Sequence, residues 1–421
     1  NDLQQQLSIE YDDLQKEAIS VFLKHSAMIL TGGPGTGKTT IVEAIIKLYR
    51  MLDPDQKIAL VAPTGRASKR LSEVTGLEAC TIHRLLKWDL HTNTFAVNAQ
   101  NPLDIDLLVI DEFSMVDSLL FSKLLDASYK VSRILLIGDD EQLPSVAPGH
   151  VLKDLIESKK IPTIRLNHIY RQSQESGIVE LAHSIRNNSY ETSLFKDYHD
   201  IHFQSCAPYE VVGYVRTLVE KAMQDGYDAN DIQVLAPMYN GVAGIDALND
   251  CLQELLNPKE EWKNELRVGK RIFREGDKVL QLKNRVDDNV FNGDIGVLEE
   301  ICYKDNFEYL SDTLIVNFDG TIVEYTPDQF YTLTHAYCMS IHKSQGNEFK
   351  IVIMPLIKDY YMMLKKNLIY TGLTRAKQSL FILGDHGAFC YGIENQHDER
   401  RKTTLKERLL TYKEISLYDF I

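Results

Sequence analysis

A glycine-rich segment that ends in lysine and threonine is the stretch whose residue types and spacing most clearly predict chemistry. Residues 32–40 read Gly-Gly-Pro-Gly-Thr-Gly-Lys-Thr-Thr and fit the pattern G-x-x-x-x-G-K-[ST]. Glycines let backbone N–H groups turn towards a polyphosphate, the lysine reaches its β- and γ-phosphates, and the following hydroxyl ligates Mg²⁺. The alternative interpretation is a glycine-rich turn that only caps a helix. The predicted nucleotide-binding residues here are Gly33, Pro34, Gly35, Thr36, Gly37, Lys38, Thr39 and Thr40.

Two neighbouring carboxylates, Asp111 and Glu112, follow an apolar run at residues 107–110. Beside a phosphate-binding loop, such a pair predicts that Asp111 holds Mg²⁺ while Glu112 orients or deprotonates the attacking water. The alternative is two acidic residues that solvate the end of a strand. A second apolar run, at residues 133–137, leads into a loop that contains Gln142. This glutamine is a candidate sensor of the γ-phosphate or of the attacking water.

Two arginines far along the chain are candidates for contacts with the transferred phosphoryl group. Arg375 follows the segment Thr-Gly-Leu-Thr at residues 371–374, and Arg171 lies in the polar stretch 166–172. An arginine that reaches a triphosphate stabilises the charge that develops on the transferring group. Taken alone, Arg375 is more typical of a surface ion pair. The occurrence of two, both at the edges of a second α/β region, favours the catalytic interpretation.

The elements that would position these residues alternate between apolar strands and amphipathic helices. Apolar runs at residues 27–30, 58–62, 107–110 and 133–137 each lead into a polar turn. Ligands of open α/β sheets bind outside the carboxyl ends of the strands. The four turns that follow these runs are therefore expected to lie around one site.

A change of pattern along the chain indicates a second α/β region and a separate β-rich region. Another series of strands and helices begins at residue 232, without a second glycine-rich phosphate loop. Residues 270–331 instead alternate short strands with tight turns, which predicts a small all-β barrel. The predicted fold class is α/β, with a first lobe at 1–164 that contains a hairpin at 88–104, a second lobe at 165–269 and 332–421, and the barrel at 270–331 inserted in the second lobe.

Composition narrows the class of protein without identifying it. The chain has 421 residues, 44% of them hydrophobic, and a formal net charge of −14. This charge argues against a protein that coats nucleic acid nonspecifically, but it leaves room for a narrow basic track. Six widely spaced cysteines show no metal-binding pattern and are expected as thiols in a reducing cytoplasm. No run approaches 18 apolar residues and no signal-peptide pattern is present, so we expect no membrane association.

Together these motifs resemble superfamily 1 helicases, and most closely the subgroup B, RecD-like 5′-to-3′ DNA helicases of the branch that acts outside the RecBCD complex. The resemblance implies two RecA-like P-loop lobes with ATP and Mg²⁺ between them, single-stranded DNA across their top, a strand-separating hairpin pin in the first lobe and an SH3-like barrel in the second. The branch carries a sizeable N-terminal region before its helicase core, which we expect to be absent here. The segments that carry the resemblance are 32–40, 62–67, 109–117, 138–146, 169–172, 340–349 and 370–377, with 237–245 and 291–296 typical of that branch.

The resemblance also implies roles for individual residues. Gln15 would read adenine, Gln142 would couple hydrolysis to lobe movement, and Glu348 would lie near the ribose. The implied catalytic residues are Lys38, Asp111, Glu112, Gln142, Arg171 and Arg375, and the implied Mg²⁺ ligands are Thr39 and Asp111. Gln15, Gln142, Glu348 and the two arginines join the glycine-rich loop in the implied ATP site. The implied DNA-binding residues are Pro63, Thr64, Thr81, His83, His342 and Lys343.

The resulting expectation is an ATP-dependent helicase that translocates 5′-to-3′ on single-stranded DNA and unwinds duplex DNA in repair or recombination. We expect a monomer that works in the cytoplasm on nucleoid DNA, with duplex junctions and repair proteins as partners. One alternative is an ATPase or translocase stimulated by single-stranded DNA. Another is a partner-dependent alpha subunit of an exonuclease V-type complex, and a third is a regulatory or scaffolding module. The direction of translocation depends on the resemblance alone.

Overall fold

A computed structural model describes residues 11–89, 92–167, 176–189, 198–285, 287–304, 309–395 and 401–412. The chain forms two compact units. The first comprises residues 1–63, 67–170 and 397–421, and the second comprises residues 64–66 and 171–396. The chain therefore leaves the first unit after residue 170 and returns to it near the C-terminus.

A parallel six-stranded sheet forms the middle of the first unit, in the order β3-β2-β6-β7-β1-β8. Each neighbouring pair in this order is parallel, which confirms the predicted α/β class for this part of the chain. The short strands β4 and β5 form a separate hairpin. The strands of the unit are β1 (Ala27–Gly32), β2 (Ile58–Ala62), β3 (Ala79–Thr81), β4 (Trp88–Asp89), β5 (Thr94–Phe95), β6 (Leu107–Ile110), β7 (Arg133–Gly138) and β8 (Thr163–Leu166).

Helices cover both faces of this sheet, which explains why its strands are continuous apolar runs. Successive strand side chains point to opposite faces, so Met28 and Leu30 pack in one core cluster and Ile29 in the other. The helices are α1 (Asp13–Lys24), α2 (Lys38–Leu52), α3 (Gly65–Thr75), α4 (Ile82–Leu85), α5 (Ser118–Ala127) and α6 (Val151–Ser158). Among the helices that the structure describes, none is long and apolar enough to cross a bilayer.

The predicted hairpin is present, and its paired strands are short. Trp88 lies opposite Phe95, and Asp89 lies opposite Thr94. Downstream of the second strand, Val97 is only 7% exposed and packs in the core of the first unit. The paired strands therefore end at Phe95, while Val97 and Leu103, in the remainder of the predicted segment 88–104, belong to the body of the unit.

A second parallel sheet lies in the second unit, in the order β18-β10-β19-β20-β9. Its neighbouring strands are all parallel, as the prediction of a second α/β lobe requires. Its strands are β9 (Ile201–Ser205), β10 (Ile232–Ala236), β18 (Cys338–Ser340), β19 (Phe349–Leu356) and β20 (Ala376–Gly384). The helices of this unit are α7 (Gly177–Arg186), α8 (Val211–Gln224), α9 (Ile245–Leu256), α10 (Lys366–Leu373) and α11 (His386–Glu394).

The β-rich region lies between β10 and β18 and confirms the predicted insert. Five of its strands form an antiparallel sheet in the order β16-β15-β14-β13-β17, and two more form a hairpin. The strands extend on both sides of the predicted range 270–331, because Leu266 on β11 packs against the same core. They are β11 (Glu265–Val268), β12 (Arg271–Arg274), β13 (Lys278–Gln281), β14 (Ile295–Cys302), β15 (Thr313–Phe318), β16 (Thr321–Tyr325) and β17 (Leu333–His335).

A buried polar network joins the β-rich region to the second parallel sheet. The fully buried Asp277 carboxylate accepts hydrogen bonds from Gln253 Nε2 on α9 (2.7 Å) and from the Tyr337 hydroxyl (2.9 Å). Beside it, Lys278 Nζ donates to Gln233 Oε1 on β10 (3.2 Å). Because several elements contribute partners, this network fixes the insert to the lobe that carries it.

The C-terminal segment (residues 401–412) packs on the first unit, where its helix α12 (Leu405–Thr411) contacts α6. Residues 332–421 were predicted to belong to the second lobe, and for this segment the prediction was wrong. Leu405 and Leu409 face the first-unit core. An apolar stripe on a helix predicts that the helix is covered, but it does not identify the surface that covers it.

Candidate functional site

The glycine-rich loop between β1 and α2 has the backbone shape of an anion-binding loop. Gly35 and Gly37 have φ angles of 69° and 77°, in the left-handed region that glycine adopts without steric cost. Lys38 begins α2, and its Nζ donates to the carbonyl oxygens of Gly32 (2.6 Å) and Gly33 (2.9 Å). The ammonium group is therefore held over the loop, at a helix N-terminus whose dipole favours anions.

The carboxylate pair lies directly after β6, as predicted. Glu112 has a φ angle of 50°, a left-handed conformation that a non-glycine residue seldom adopts. Its backbone N–H donates to Asp111 Oδ1 at 2.8 Å. Burial raises the pKa of Asp111 above its usual value. A nearby cation would favour the charged form of this carboxylate, as expected for a metal ligand.

The β7–α6 loop (residues 139–150) follows the neighbouring strand and is anchored by acidic side chains. Asp139 is buried, and its Oδ1 accepts from the Glu141 N–H at 3.2 Å. The Asp140 carboxylate accepts from Thr31 Oγ1 on β1 (2.9 Å) and from Arg165 Nη1 on β8 (2.7 Å). These bonds tie the start of the loop to two strands of the sheet.

Gln142, in the same loop, carries an unsatisfied polar atom. Its Oε1 is buried, and no group in the described part of the chain donates a hydrogen bond to it. A buried acceptor without a donor costs free energy and is uncommon in folded proteins. The Gln142 side chain is therefore a candidate acceptor for a ligand or for a water molecule.

These loops lie at one edge of the sheet, because they follow β1, β7 and β6, which are neighbouring parallel strands. Lys38 supplies an ammonium group for phosphates, exposed Thr39 a hydroxyl, Asp111 and Glu112 two carboxylates, and Gln142 an acceptor. Among the described residues, no group of three or more His, Cys, Asp or Glu side chains is arranged so that it could hold a metal ion. A divalent cation here would thus share its coordination with phosphate oxygens and water, as Mg²⁺ commonly does. The donor set fits a magnesium nucleotide.

Gln15, the predicted adenine reader, lies in the first turn of α1. Its backbone N–H donates to Asp12 Oδ1 (2.7 Å), and its Oε1 accepts from the Asp12 N–H (3.2 Å). The two residues form a capping box that begins the helix. This arrangement fixes the orientation of the Gln15 amide, which is only 2% exposed.

Arg375 lies in the second unit, between α10 and β20. It is 3% exposed and donates from Nε to Thr371 O (3.1 Å), from Nη1 to Asn347 O (3.0 Å) and from Nη2 to Thr374 Oγ1 (3.1 Å). All three acceptors are neutral, and in the described residues no carboxylate forms an ion pair with this guanidinium. A buried charge without a counter-ion is a candidate for an anionic ligand.

The remaining predicted nucleotide contacts have different outcomes. Glu348 precedes β19, next to the Asn347 carbonyl that Arg375 contacts, and its Oε2 lies 3.1 Å from Lys377 Nζ. The structure thus brings Glu348 and Arg375 together. Arg171 lies outside the described residues, so its role stays a prediction.

The predicted DNA contacts of the first unit follow two neighbouring strands. Pro63 and Thr64 connect β2 to α3, and Thr81 ends β3, where it pairs with Ala62. Thr81 Oγ1 accepts from the Arg84 N–H at 3.2 Å and so caps α4. The structure therefore brings three of the predicted DNA contacts to the same edge as the phosphate loop.

His83, the fourth of these residues, contacts the hairpin. Its ring centroid lies 6.2 Å from that of Trp88 and 5.9 Å from that of Phe95, and these two rings are 4.5 Å apart. Burial lowers the pKa of His83 below its usual value. Trp88 and Phe95 were not among the predicted site residues. The sequence signal that could have identified them is the presence of one aromatic residue on each paired strand of an otherwise polar hairpin.

His342 and Lys343 lie in a short 3₁₀ turn, Ile341–Ser344, after β18. Burial lowers the pKa of both side chains. Lys343 Nζ donates to Asn292 Oδ1 of the β-rich region at 2.5 Å. These two candidates therefore lie where the lobe and its insert meet, beyond the carboxyl end of β18, whereas Arg375 precedes β20 at the amino ends of the strands.

Three protein-family models match separate parts of the chain. An AAA domain matches residues 15–148, the SH3 domain of ATP-dependent RecD-like DNA helicases matches residues 248–318, and the UvrD-like helicase C-terminal domain matches residues 335–383. The second of these supports the SH3-like assignment of the β-rich region.

Curated relatives are similar over almost the whole chain. The ATP-dependent RecD2 DNA helicase of Deinococcus radiodurans is 35% identical over 395 residues, which cover 94% of this chain and 52% of that protein. The RecBCD enzyme subunit RecD of Mycolicibacterium smegmatis is 30% identical over 436 residues, which cover 94% of this chain and 74% of that subunit. The chain therefore spans about half the length of the first relative.

Solved structures show a similar fold at low sequence identity. The Pif1 helicase from Bacteroides in complex with ADP-AlF3 and single-stranded DNA aligns with a TM-score of 0.54 at 17% identity, over 98% of this chain and 96% of that one. A forked-DNA complex of two coordinating Pif1 helicases gives the same TM-score over 89% of this chain and 92% of that one. At this identity the likeness shows the fold alone.

Proposed function

The chain belongs to the RecD-like helicases, and on that premise we propose that it is an ATP-dependent DNA helicase that translocates 5′-to-3′ on single-stranded DNA and unwinds duplex DNA. The observation that carries the proposal is the common edge of β1, β7 and β6, where a phosphate loop, a carboxylate pair and a glutamine acceptor meet. Nucleotide binding without hydrolysis would need only the phosphate loop. The carboxylates and Gln142 favour hydrolysis.

Nucleotide binding is assigned to the loop at residues 33–40 and to the capped Gln15, which reads the adenine. Lys38 exchanges its bonds with the Gly32 and Gly33 carbonyls for bonds with β- and γ-phosphate oxygens. Thr39 and Asp111 are the proposed ligands of Mg²⁺, which neutralises charge on the phosphates when it is bound. The position of Asp111 directly after β6, at the same edge of the sheet as the phosphate loop, supports this assignment.

Hydrolysis needs a base, a positioned water molecule and positive charge near the γ-phosphate. Glu112 is the proposed base, and its left-handed backbone holds the carboxylate at the strand end. Gln142 Oε1 accepts from the attacking water, which satisfies its orphaned atom. Arg375 and Arg171 supply positive charge from the second lobe, and Glu348 contacts the ribose. The absence of a carboxylate partner for Arg375 among the described residues supports its part.

The proposed DNA track uses short polar and ring side chains rather than a broad basic surface. Such contacts suit a grip that forms and releases in each cycle without reading base sequence. The hairpin at residues 88–95 is the proposed strand-separating pin. The proposed track residues are Pro63, Thr64, Thr81, His83, His342 and Lys343.

Partners and setting are part of the same proposal. Single-stranded DNA and duplex junctions are the proposed substrates, and the protein acts as a monomer in the cytoplasm. The similarity to a RecBCD subunit favours one second candidate, a RecD-type subunit that unwinds DNA only with its partner proteins.

ATP hydrolysis and strand separation by the purified chain test these candidates together. We expect hydrolysis stimulated by single-stranded DNA, and unwinding of a 5′-tailed but not a 3′-tailed duplex with ATP and Mg²⁺. Lys38→Ala serves as the inactive control, and Lys47→Ala, an exposed lysine of the same helix, serves as the matched active one. Hydrolysis without unwinding would favour the partner-dependent candidate. The absence of hydrolysis would overturn the proposal.

A further inference from the structure

The C-terminal segment (residues 401–412) is bound to the first unit by polar contacts as well as by its apolar face. Thr403 Oγ1 donates to Asp154 Oδ2 at 2.7 Å, and Lys406 Nζ lies 2.6 Å from Glu157 Oε2. Both partners belong to α6. These two contacts hold the segment on the helix that follows the β7–α6 loop.

Arg401, at the start of the segment, contacts the loop itself. Its Nη1 lies 2.9 Å from the Ala147 carbonyl oxygen, 2.8 Å from that of Gly149 and 3.4 Å from Ser145 Oγ. Residues 139–150 form no helix or strand, so their carbonyl groups have no regular backbone partners. One guanidinium group therefore binds several acceptors along the second half of this loop.

Other contacts fix the two ends of the loop. Asp140 ties the first half to β1 and β8, as described above. At the far end, the Ser118 N–H donates to the Pro148 carbonyl at 3.1 Å, and the chain passes so close that a β-carbon on Gly149 would lie 2.0 Å from Ser118 Oγ. Gln142 lies between these two anchored ends.

We propose that Arg401 is a positioning residue for Gln142, and that this one side chain connects the start of the C-terminal segment to ATP hydrolysis in the first unit. The inference rests on the proposed function and extends it to a residue that follows the whole second unit in sequence. Arg401 acts through the loop: by holding residues 145–149 it restricts the path of the chain that carries the glutamine.

The expected effect is on the catalytic step rather than on nucleotide binding. The phosphate loop and Lys38 belong to β1 and α2, which Arg401 does not contact in the described structure. A water acceptor displaced by a fraction of an ångström to one ångström still permits binding but lowers the rate of attack. A change in kcat at constant KM for ATP is therefore the signature of this role.

Steady-state ATP hydrolysis, with and without single-stranded DNA, tests the proposal in the full chain. We expect Arg401→Ala to lower kcat about 10- to 100-fold with KM for ATP unchanged within about twofold. Arg401→Lys retains a cationic donor but not the guanidinium geometry, so it should restore part of kcat. Lys406→Ala is the matched control, because it removes a contact of the same segment with α6 and none with the loop. Its kcat should equal that of the wild type.

A double-mutant cycle distinguishes positioning from general support of the fold. If Arg401 acts through Gln142, Arg401→Ala should add little further loss to Gln142→Ala. Amide hydrogen exchange gives a readout that does not need activity: the amides of Leu143 and of residues 145–147 should exchange faster in Arg401→Ala, while those of α6 are unchanged.

The possible failures are distinct. A wild-type chain without ATP hydrolysis would overturn the proposed function. Wild-type hydrolysis with an unchanged kcat in Arg401→Ala, or with losses that add fully to those of Gln142→Ala, would overturn the role of Arg401 alone. Equal losses in Arg401→Ala and Lys406→Ala would also overturn it, because they would indicate that the segment only stabilises the unit.

Discussion

Arg274 and Arg375 are two arginines of the second unit that are equally buried, at 3% exposure each, but their surroundings differ. Arg274 lies where the β-rich region joins the lobe, with Nη2 3.0 Å from Glu254 Oε1 and 2.7 Å from Glu265 Oε1. Arg375 donates to two carbonyl oxygens and a hydroxyl. The two arginines are therefore equally buried, but among the described residues only Arg274 has carboxylate partners.

This comparison distinguishes buried polar groups that have structural partners from buried polar groups that lack a partner and could contact a ligand. Asp277, near Arg274, has donors from several elements, whereas Gln142 Oε1 has none among the described residues. An unpaired buried group costs about 1–3 kcal/mol, so it persists where function requires it. Around Arg274 the paired groups form a structural joint, whereas the unpaired acceptor of Gln142 and the uncompensated charge of Arg375 are candidates for ligand contacts.

Removal of the uncompensated arginine should have the largest effect on activity. We expect Arg375→Ala to lower ATP hydrolysis about 10³-fold, since an arginine that stabilises the transferring phosphoryl group contributes 10³–10⁵. Equilibrium nucleotide binding should change by only a few fold. Equal losses of binding and hydrolysis would assign Arg375 to ground-state binding instead.

Removal of the compensated arginine should affect stability instead. We expect Arg274→Ala to lower the free energy of unfolding by about 1–3 kcal/mol, because the buried Asn257 carbonyl and Glu265 lose a donor, although Glu265 keeps its contact with Lys259. Chemical denaturation measures this loss. ATP hydrolysis well below the unfolding transition should stay near the wild-type rate. A large loss of kcat in the folded variant would contradict the comparison.

Gln142→Met removes the orphaned acceptor while it preserves most of the side-chain volume. We expect kcat for ATP to fall about 10- to 100-fold, because the attacking water loses an oriented partner. Stability should be unchanged or should rise by up to about 1 kcal/mol, since a buried unpaired group is removed. Calorimetry and steady-state kinetics check the two halves. A clear loss of stability would mean that the atom is paired in solution.

The aromatic side chains of the hairpin contact one another, as the paired groups around Arg274 do. In this they differ from Gln142 and Arg375. A hairpin with two-residue strands has little stability of its own, so Trp88 and Phe95 hold it against His83. We expect Trp88→Ala to lower duplex unwinding about tenfold and Trp88→Phe to retain most of it. ATP hydrolysis on single-stranded DNA should stay near wild type in both. Unchanged unwinding in Trp88→Ala would exclude this support.

The smallest effect concerns the pH dependence of stability at the joint. Burial lowers the pKa of Lys278 to about 7, from 10.5 for an ordinary lysine. Between these pH values the unfolded chain binds a proton that the folded chain lacks, so this group makes stability rise with pH. We expect thermal unfolding of Lys278→Met to lack part of the increase that the wild type shows between pH 7 and 9. Identical pH profiles would show that Lys278 is charged in the folded protein.

Much of the fold was predictable because it depends on local patterns. The run at 133–137 indicated a strand covered on both faces, and β7 has helices on each side. The spacing of the glycine-rich loop likewise predicted a turn followed by a helix, as seen at Gly37 and Lys38. Boundaries were less predictable: Val97 lies within the predicted hairpin segment but packs in the core, which depends on contacts distant in sequence.

The sequence alone predicts a nucleotide site, because the anion-binding loop and the carboxylate pair are each encoded by a few neighbouring residues at the end of an apolar run. Which polar groups are paired depends on the tertiary structure. The orphaned atom of Gln142, the uncompensated charge of Arg375 and the contact of Arg401 with a loop some 250 residues earlier depend on distant segments that meet in space. Local residue spacing carries no information about contacts between distant segments, because these contacts depend on how whole helices and strands pack.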